Sequence, residues 1–294
     1  MSDGPLIFDR ALLRLRRRRA MALGPVTFLL DRVADDMADR LAAVLRRFDV
    51  AVDLATPGPA VRAAIARLGS VGTIVAADAI SGGAVIADEE MLPFGDATID
   101  LVVSALALQF ANDLPGVLVQ IRRALKPDGL FLAALLGGET LTELRQSFAE
   151  AESDVEGGVS PHVAPFADLR DLGALLQRAG FALPVTDADR VTVRYDTAFA
   201  LMHDLRRMGA TNVLLARRRR TPLRRATLLR MAEIYSSRFA DPNGRVRATF
   251  EIVWLSGWAP HPDQQQPLRP GSAKTRLADA LGAREISAGE KAER

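Results

Sequence analysis

The run Ile99-Asp100-Leu101-Val102-Val103-Ser104, the pair Asn112-Asp113, the stretch Leu114 to Leu125, the break Lys126-Pro127-Asp128-Gly129 and the run Leu130 to Leu136 decide the fold. The two short runs are apolar on both faces, which is the pattern of strands buried on both sides. Between them, Val117, Ile121, Ala124 and Leu125 share one helical face, and Asn112-Asp113 supplies a cap. The alternation continues upstream. Residues 26–47 carry Phe28, Leu29, Val33, Met37, Leu41, Val44 and Leu45 at steps of three and four. Val50 to Leu54 reads as a strand broken by Thr56-Pro57-Gly58-Pro59, Val61 to Leu68 as a short helix, Gly72 to Asp78 as a second strand and Val85 to Asp88 as a third. Strands alternating with helices predict a doubly wound α/β fold, with a mostly parallel sheet covered on both faces.

Downstream, helices are expected over Thr140–Glu152, Asp168–Ala179, Thr197–Met208 and Thr221–Phe239, with strands over Val191–Tyr195 and Thr249–Trp258. These add a helical cap around 140–250 and C-terminal antiparallel strands. The domain organisation expected is a basic helical segment over 1–47, an α/β domain over 48–260, and a disordered tail over 261–294, rich in Pro, Gln and Arg. The first helix, Phe8 to Ala22, carries Arg10, Arg14 and Arg16 to Arg19, with Leu12, Leu13 and Leu15 as an apolar stripe. It reads as a solvated helix on the domain or as a docking surface for an acidic partner.

Composition narrows the function. The chain has 294 residues, 49% hydrophobic and 25% charged, with a net charge of +2. That is the balance of a folded globular protein rather than a generalist nucleic-acid binder. No apolar run is long enough to cross a bilayer. There is no cysteine, hence no disulfide, thiolate cluster or cysteine nucleophile. Of the 38 basic residues only Lys126, Lys274 and Lys291 are lysine. A second basic run, Arg217 to Arg220 with Arg224 and Arg225, reads as a solvated helix end or as a contact for an acidic protein or a membrane face.

Ligands of open parallel sheets bind at the carboxyl ends of the strands. Asp53, Asp78 and Asp88 end three successive runs there. Asp78 is placed to accept from ribose hydroxyls, and Asp88 with Glu89 to face an adenine. His162 in Ser160-Pro161-His162, together with Tyr195 and Tyr235, are the candidates for proton chemistry. Convergence of His162, His203 and Asp204 on a metal is the weaker alternative, and no metal site is expected.

The layout resembles the class I S-adenosylmethionine-dependent methyltransferase fold, with Asp88 to Phe94 and Leu125 to Phe131 matching its motifs over roughly residues 45–136. A narrower resemblance is carried by Ile7 to Arg10, Asn112 to Pro115, Leu136 to Leu141, Gly157 to His162, Asp171 to Gly173, Asp204 to Asn212 and Thr249 to Ile252. These look like the methyltransferase-like assembly factors of respiratory complex I. The resemblance implies modification, by hydroxylation, of an arginine on a protein substrate, the quinone-proximal iron–sulfur subunit. It also implies S-adenosylmethionine as cofactor and residence in the bacterial cytoplasm or, in a eukaryote, the mitochondrial matrix.

The cofactor-binding residues expected on this basis are Asp53, Ala55, Gly58, Asp78, Asp88, Glu89 and Ser104. One departure stands out: Ala55, Pro57 and Pro59 occupy the places of three glycines in the loop that cradles the methionine end. The loop must therefore find another path around Gly58, or the site is degenerate and the chain a non-catalytic assembly chaperone. A carrier-protein or small-molecule O-methyltransferase is the third reading.

Overall fold

Leu101 and Val103 turn to one face of a strand and Val102 to the other, and all three are buried. This period of two, with both faces covered, is what the sheet's interior requires. The computed structural model describes residues 6–80, 83–216 and 223–264 and the single position 282. Helix α1 (Arg10–Ala22) and α2 (Phe28–Ala42) precede β1 (Phe48–Leu54), α3 (Ala60–Ala66) and β2 (Val71–Ala77). Then come β3 (Ile99–Ala105), a 3₁₀ turn (Leu108–Phe110), α4 (Leu114–Ala124) and β4 (Leu125–Leu136). The cap-forming half comprises α5 (Thr142–Glu156), α6 (Leu169–Arg178), β5 (Ala182–Tyr195), α7 (Ala198–Arg207), α8 (Arg225–Phe239) and β6 (Val246–Trp258).

The sheet runs in the order β2-β1-β3-β4-β6-β5. Strands β2, β1, β3 and β4 are parallel, whereas β6 runs antiparallel to both β4 and β5. Apolar residues of α2, α3, α5, α7 and α8 cover one face, and those of α4 and α6 cover the other. From β1 the chain winds outward to β2, and from β3 it winds the opposite way to β4. The switch point therefore lies between the carboxyl ends of β1 and β3.

Several expectations change in detail. The third strand, Val85 to Asp88, is reduced to an isolated parallel bridge of Ala77 with Val85 and a bridge of Asp88 with Met91. Only one reciprocal pair of hydrogen bonds forms, Val85 N–H to the Ala76 carbonyl and Asp78 N–H to the Val85 carbonyl. Ile86 points to solvent, 83% exposed, and the acids that follow turn away to arginines of α1. Conversely, β5 begins at Ala182, well before Val191. Pro184 and the acids Asp187 and Asp189 hide that strand from pattern reading, yet an edge strand tolerates both. Here Asp187 pairs with Arg40 at 2.7 Å and Asp189 with Arg32 at 3.0 Å, both from α2.

Aspartates cap the helices as local chemistry predicts. Asp9, Asp113 and Asp168 each accept a backbone N–H of the first turn, at 2.9, 2.9 and 2.8 Å. Asn112 works differently: its Oδ1 accepts the N–H groups of Ile7 and Phe8, both at 2.8 Å, tying the N-terminus to the start of α4. The buried stripe of α1 is Leu13, Arg17 and Ala20 rather than Leu12, Leu13 and Leu15, and Leu15 is exposed. Arg40 lies over the Trp254 ring at 4.4 Å and Arg46 over Trp258 at 5.6 Å, so α2 and its C-terminal extension hold both tryptophans.

The described residues up to Pro260 form one compact unit. The tail expected to be disordered lies outside the described residues apart from 261–264 and 282, and so does the run Arg217 to Arg220. Among the described residues, no helix is long and apolar enough to cross a membrane. Phe131, fully buried and stacked on Phe181 at 5.5 Å, anchors the α4–α6 face. Phe131→Ala should lower unfolding free energy by about 3–5 kcal/mol in a urea titration, the range for emptying an aromatic site in a packed core.

Candidate functional site

The loop that leaves β1 turns aside without the glycines expected of it. Ala55 adopts a left-handed backbone, φ 57°, and Gly58 another, φ 86°. Two side chains pin the loop's first half to β3. The Ser104 hydroxyl donates to the Leu54 carbonyl at 2.8 Å, and Ala105 N–H donates to Thr56 Oγ1 at 3.0 Å. Thr56 was not anticipated from sequence; a buried hydroxyl directly after a strand end is its only signal. Pro57, Gly58 and Pro59 then form a wall rather than a plug, and Pro59 occupies the N-cap position of α3.

That wall bounds a cavity of about 730 Å³ over the switch point, within the size range of ligand sites. The carboxyl ends of four strands contribute: Pro57 to Ala60 after β1, Asp78 and Ile80 after β2, Leu106, Gln109 and Phe110 after β3, and Leu136, Thr140 and Leu141 after β4. Leu106 and Leu141 both have left-handed backbones, at φ 51° and 54°. Each such non-glycine residue costs on the order of 1 kcal/mol. They are held there by hydrogen bonds from Leu106 N–H to Ala134 and from Leu141 N–H to Thr249. The roof comes from α1, from the loop carrying His162 to Phe166, and from α7 with Met208 to Val213. Asn212 joins these pieces, donating from its side chain to the Pro161 carbonyl at 2.6 Å and accepting at its backbone carbonyl from Arg16. Phe110 meets Phe8 edge to face at 5.7 Å and Phe166 at 6.5 Å.

The structure sorts the sequence candidates. Asp78 and Gly58 line the cavity. The Asp78 carboxylate is buried and accepts Ile80 N–H at 3.0 Å. Gln109, not singled out from sequence, also lines the cavity, and its buried Oε1 has no partner among the described residues. Ala55 and Ser104 shape the loop from behind. Asp53 also stands behind it, 1% exposed and paired with Arg62 of α3 at 2.8 Å.

Asp88 and Glu89 are not on the cavity wall. Arg10 reaches Asp88 at 2.8 Å, Glu89 at 2.7 Å and Glu90 at 2.7 Å, while Arg14 reaches Asp88 at 2.5 Å. A backbone hydrogen bond at Glu90 and these two guanidinium groups hold the Asp88 carboxyl below its ordinary range against the opposing effect of burial. The acids expected to meet adenine instead fasten the N-terminal helix over the site.

His162 lines the cavity, lies flat on Phe148 at 4.1 Å, and shares Nε2 with the buried Glu152 carboxylate at 2.9 Å. Ser160 donates to the same carboxylate at 2.7 Å. Hydrogen bonds from His162 and Ser160 keep Glu152 below the usual glutamate range despite burial. Tyr195 and Tyr235 are corrected: both are core side chains and neither lines the cavity. Tyr235 donates to the Arg247 carbonyl at 2.9 Å, and burial raises the pKa of both phenols. His203 is exposed on α7, and among the described residues no three His, Cys, Asp or Glu side chains gather as a metal site.

Burial pushes Asp53 from 3.8 to about 6, outweighing its Thr56 and Arg62 hydrogen bonds. Its folded state thus holds the proton more tightly than the unfolded chain, so stability from this group is present below pH 3.8 and lost as pH rises through 6. Comparing chemical denaturation of the wild type and Asp53→Asn should show their stability difference falling by on the order of 3 kcal/mol across that window. A difference that does not vary with pH would mean Asp53 is solvated like an ordinary surface acid.

Comparison with known proteins adds the lineage. The protein-family profile described as "Methyltransferase domain" matches residues 59–133. Among solved structures, the YcgJ protein of Bacillus subtilis superposes with a TM-score of 0.51 at 14% identity, covering 77% of this chain and 99% of that one, a likeness of fold. The malonyl-[acyl-carrier protein] O-methyltransferase of Laribacter hongkongensis is 40% identical over 187 residues, 64% of this chain and 60% of that enzyme. The mitochondrial arginine-hydroxylase NDUFAF5 of Danio rerio is 39% identical over 292 residues, which is 94% of this chain and 90% of the relative. With that coverage at that identity, the chain belongs to the arginine-hydroxylase NDUFAF5 family, within the class I methyltransferase superfamily.

Proposed function

We propose that the chain binds S-adenosylmethionine in the switch-point cavity and modifies an arginine of a protein substrate during assembly of respiratory complex I, acting on the quinone-proximal iron–sulfur subunit. The observation that carries this reading is the open wall formed by Pro57, Gly58 and Pro59, which shares one cavity with Asp78. Family membership supports the arginine as target, since the full-length relative is named an arginine hydroxylase. The unpaired Gln109 Oε1 supports a ligand as well, because a buried acceptor without a partner calls for a donor from outside the protein. By family and chemistry the protein acts in the bacterial cytoplasm or the mitochondrial matrix, against the membrane face where that complex is built.

The residues divide the work. Asp78 accepts from the vicinal hydroxyls of a ribose, and Gln109 Oε1 takes one amino or hydroxyl donor. Pro57 to Ala60 bound the space for the amino-acid tail. The left-handed backbones at Leu106 and Leu141 hold apolar side chains against the remaining wall and exclude water. His162, braced by Phe148 and Glu152, takes up a proton from the acceptor; when Nε2–H donates to Glu152, Nδ1 keeps the lone pair. The cofactor, when bound, supplies an electrophilic methyl on sulfonium. Holding donor and acceptor in line provides much of the rate in such a site.

The partial likeness to a malonyl carrier-protein O-methyltransferase favours a second reading, a carboxylate acceptor on a carrier. Calorimetry with S-adenosylhomocysteine tests the cofactor: the wild type should bind, and Asp78→Ala should bind at least about tenfold more weakly. Mass spectrometry of the complex I subunit after incubation then distinguishes the outcomes. Gain of one methyl on arginine supports the transfer described here. Gain of one oxygen, which requires dioxygen and an electron donor in the mixture, keeps arginine as the target but replaces methyl transfer by oxidation. Methylation of malonyl carrier protein alone moves the assignment to the second reading. Undiminished binding of the complex I subunit by a protein that shows no heat with S-adenosylhomocysteine would leave a chaperone and no enzyme.

A further inference from the structure

Arg17 is a buried cation with an unanswered charge. It occupies the middle of the buried stripe of α1, is 8% exposed, and lines the cavity. The neighbouring arginines of the same helix have partners: Arg10 and Arg14 hold the acids at 88–90, and Arg16 donates to the Asn212 carbonyl. No described carboxylate pairs with Arg17. Its guanidinium lies over the Phe110 ring at 5.8 Å, and it feels Glu89 and Asp78 only at longer range. Burial accordingly lowers its pKa, the direction expected when desolvation outweighs attraction.

The position is also built. A Cβ at Gly209 would come within 3.0 Å of Arg17 Cγ and 3.1 Å of its Cα, so the glycine lets the turn after α7 pack closely against the arginine stem. A buried, unpaired charge is costly and is normally neutralised by a partner.

We propose that Arg17 is the anion-recognition point of the cavity and that its ligand is a single carboxylate. The guanidinium fork matches a carboxylate in two parallel hydrogen bonds. Asp78 lines the same cavity, so a doubly charged phosphate would add more negative charge beside it than a single carboxylate does. Two sources carry this chemistry: the amino-acid tail of the adenosyl cofactor, which rests on the function proposed above, and a carboxylate on the acceptor, which does not. A consequence follows for an arginine acceptor. It would meet a like charge in the empty cavity, so the carboxylate enters first.

The test is calorimetry on the full chain, comparing the wild type with Arg17→Met and Arg17→Lys. The probes are S-adenosylhomocysteine, 5′-methylthioadenosine (the same nucleoside thioether without the amino-acid tail) and monomethyl malonate, a malonate with one free carboxylate. Wild type should bind S-adenosylhomocysteine at least about tenfold more tightly than methylthioadenosine. Arg17→Met should erase that gap with methylthioadenosine binding unchanged, and Arg17→Lys should keep part of it; this assigns the tail. Survival of the gap in Arg17→Met, with monomethyl malonate binding lost, assigns the acceptor carboxylate.

The proposal is overturned if Arg17→Met alters neither the gap nor monomethyl malonate binding, or weakens methylthioadenosine by the same factor. Should wild type bind neither nucleoside, the cofactor reading falls by itself, and monomethyl malonate binding to wild type against Arg17→Met decides the question of Arg17.

Discussion

The loop between β1 and α3 is the constraint on which the site depends. A parallel sheet delivers its strand ends to one edge, but a ligand can use that edge only if the first connection turns sharply aside. Glycines usually allow that turn. Here Ala55 accepts a left-handed backbone, and Ser104 and Thr56 hold the loop to β3. The strain of one alanine is met by two buried hydrogen bonds, each worth on the order of 1 kcal/mol. With the turn secured, the prolines stiffen the following wall instead of obstructing the cavity.

The N-terminal helix is the second dependency. Two of its arginines, Arg10 and Arg14, engage the acidic turn at 88–90 while Arg18 and Arg19 are exposed, so only part of the basic run serves to hold the helix over the site. Partly buried pairs of this kind hold geometry more than they add net stability, because desolvation of both partners opposes their attraction. Phe8 and Leu13 supply the apolar anchorage, meeting Phe110, Val213 and Leu214 in a small core of their own. The roof is therefore assembled from segments distant in sequence, and its parts have no independent reason to fold.

This explains what the sequence could and could not disclose. Strands β1 to β4 and helix α4 are legible because their burial is two-sided or strictly periodic, and those patterns follow from local geometry. Strand β5 is legible only from Val191 onward, since its first half, an edge segment with Pro184 and alternating acids, looks like a loop until Arg32 and Arg40 are seen opposite. Among site residues, Asp78 and Gly58 follow from their place after strand ends. The role of Asp88 could not follow, because whether a strand-end acid faces a ligand or an arginine depends on where α1 lies. His162 is legible as a candidate, but its brace, Glu152, follows only from the fold that brings α5 against the His162 loop. Gln109 and Thr56 give no signal beyond a polar residue beside apolar ones, and only their enclosure makes them matter.

The two arginine–tryptophan stacks have a practical corollary. Trp254 and Trp258 are the only indoles in the chain, and both are covered by cations from the α2 region rather than from α1. Intrinsic fluorescence should thus register detachment of α2 while staying largely blind to opening of the first helix. The first helix thus lies outside the reach of the simplest optical probe, and a dye placed on α1 would be needed to report on its contacts with the acidic turn.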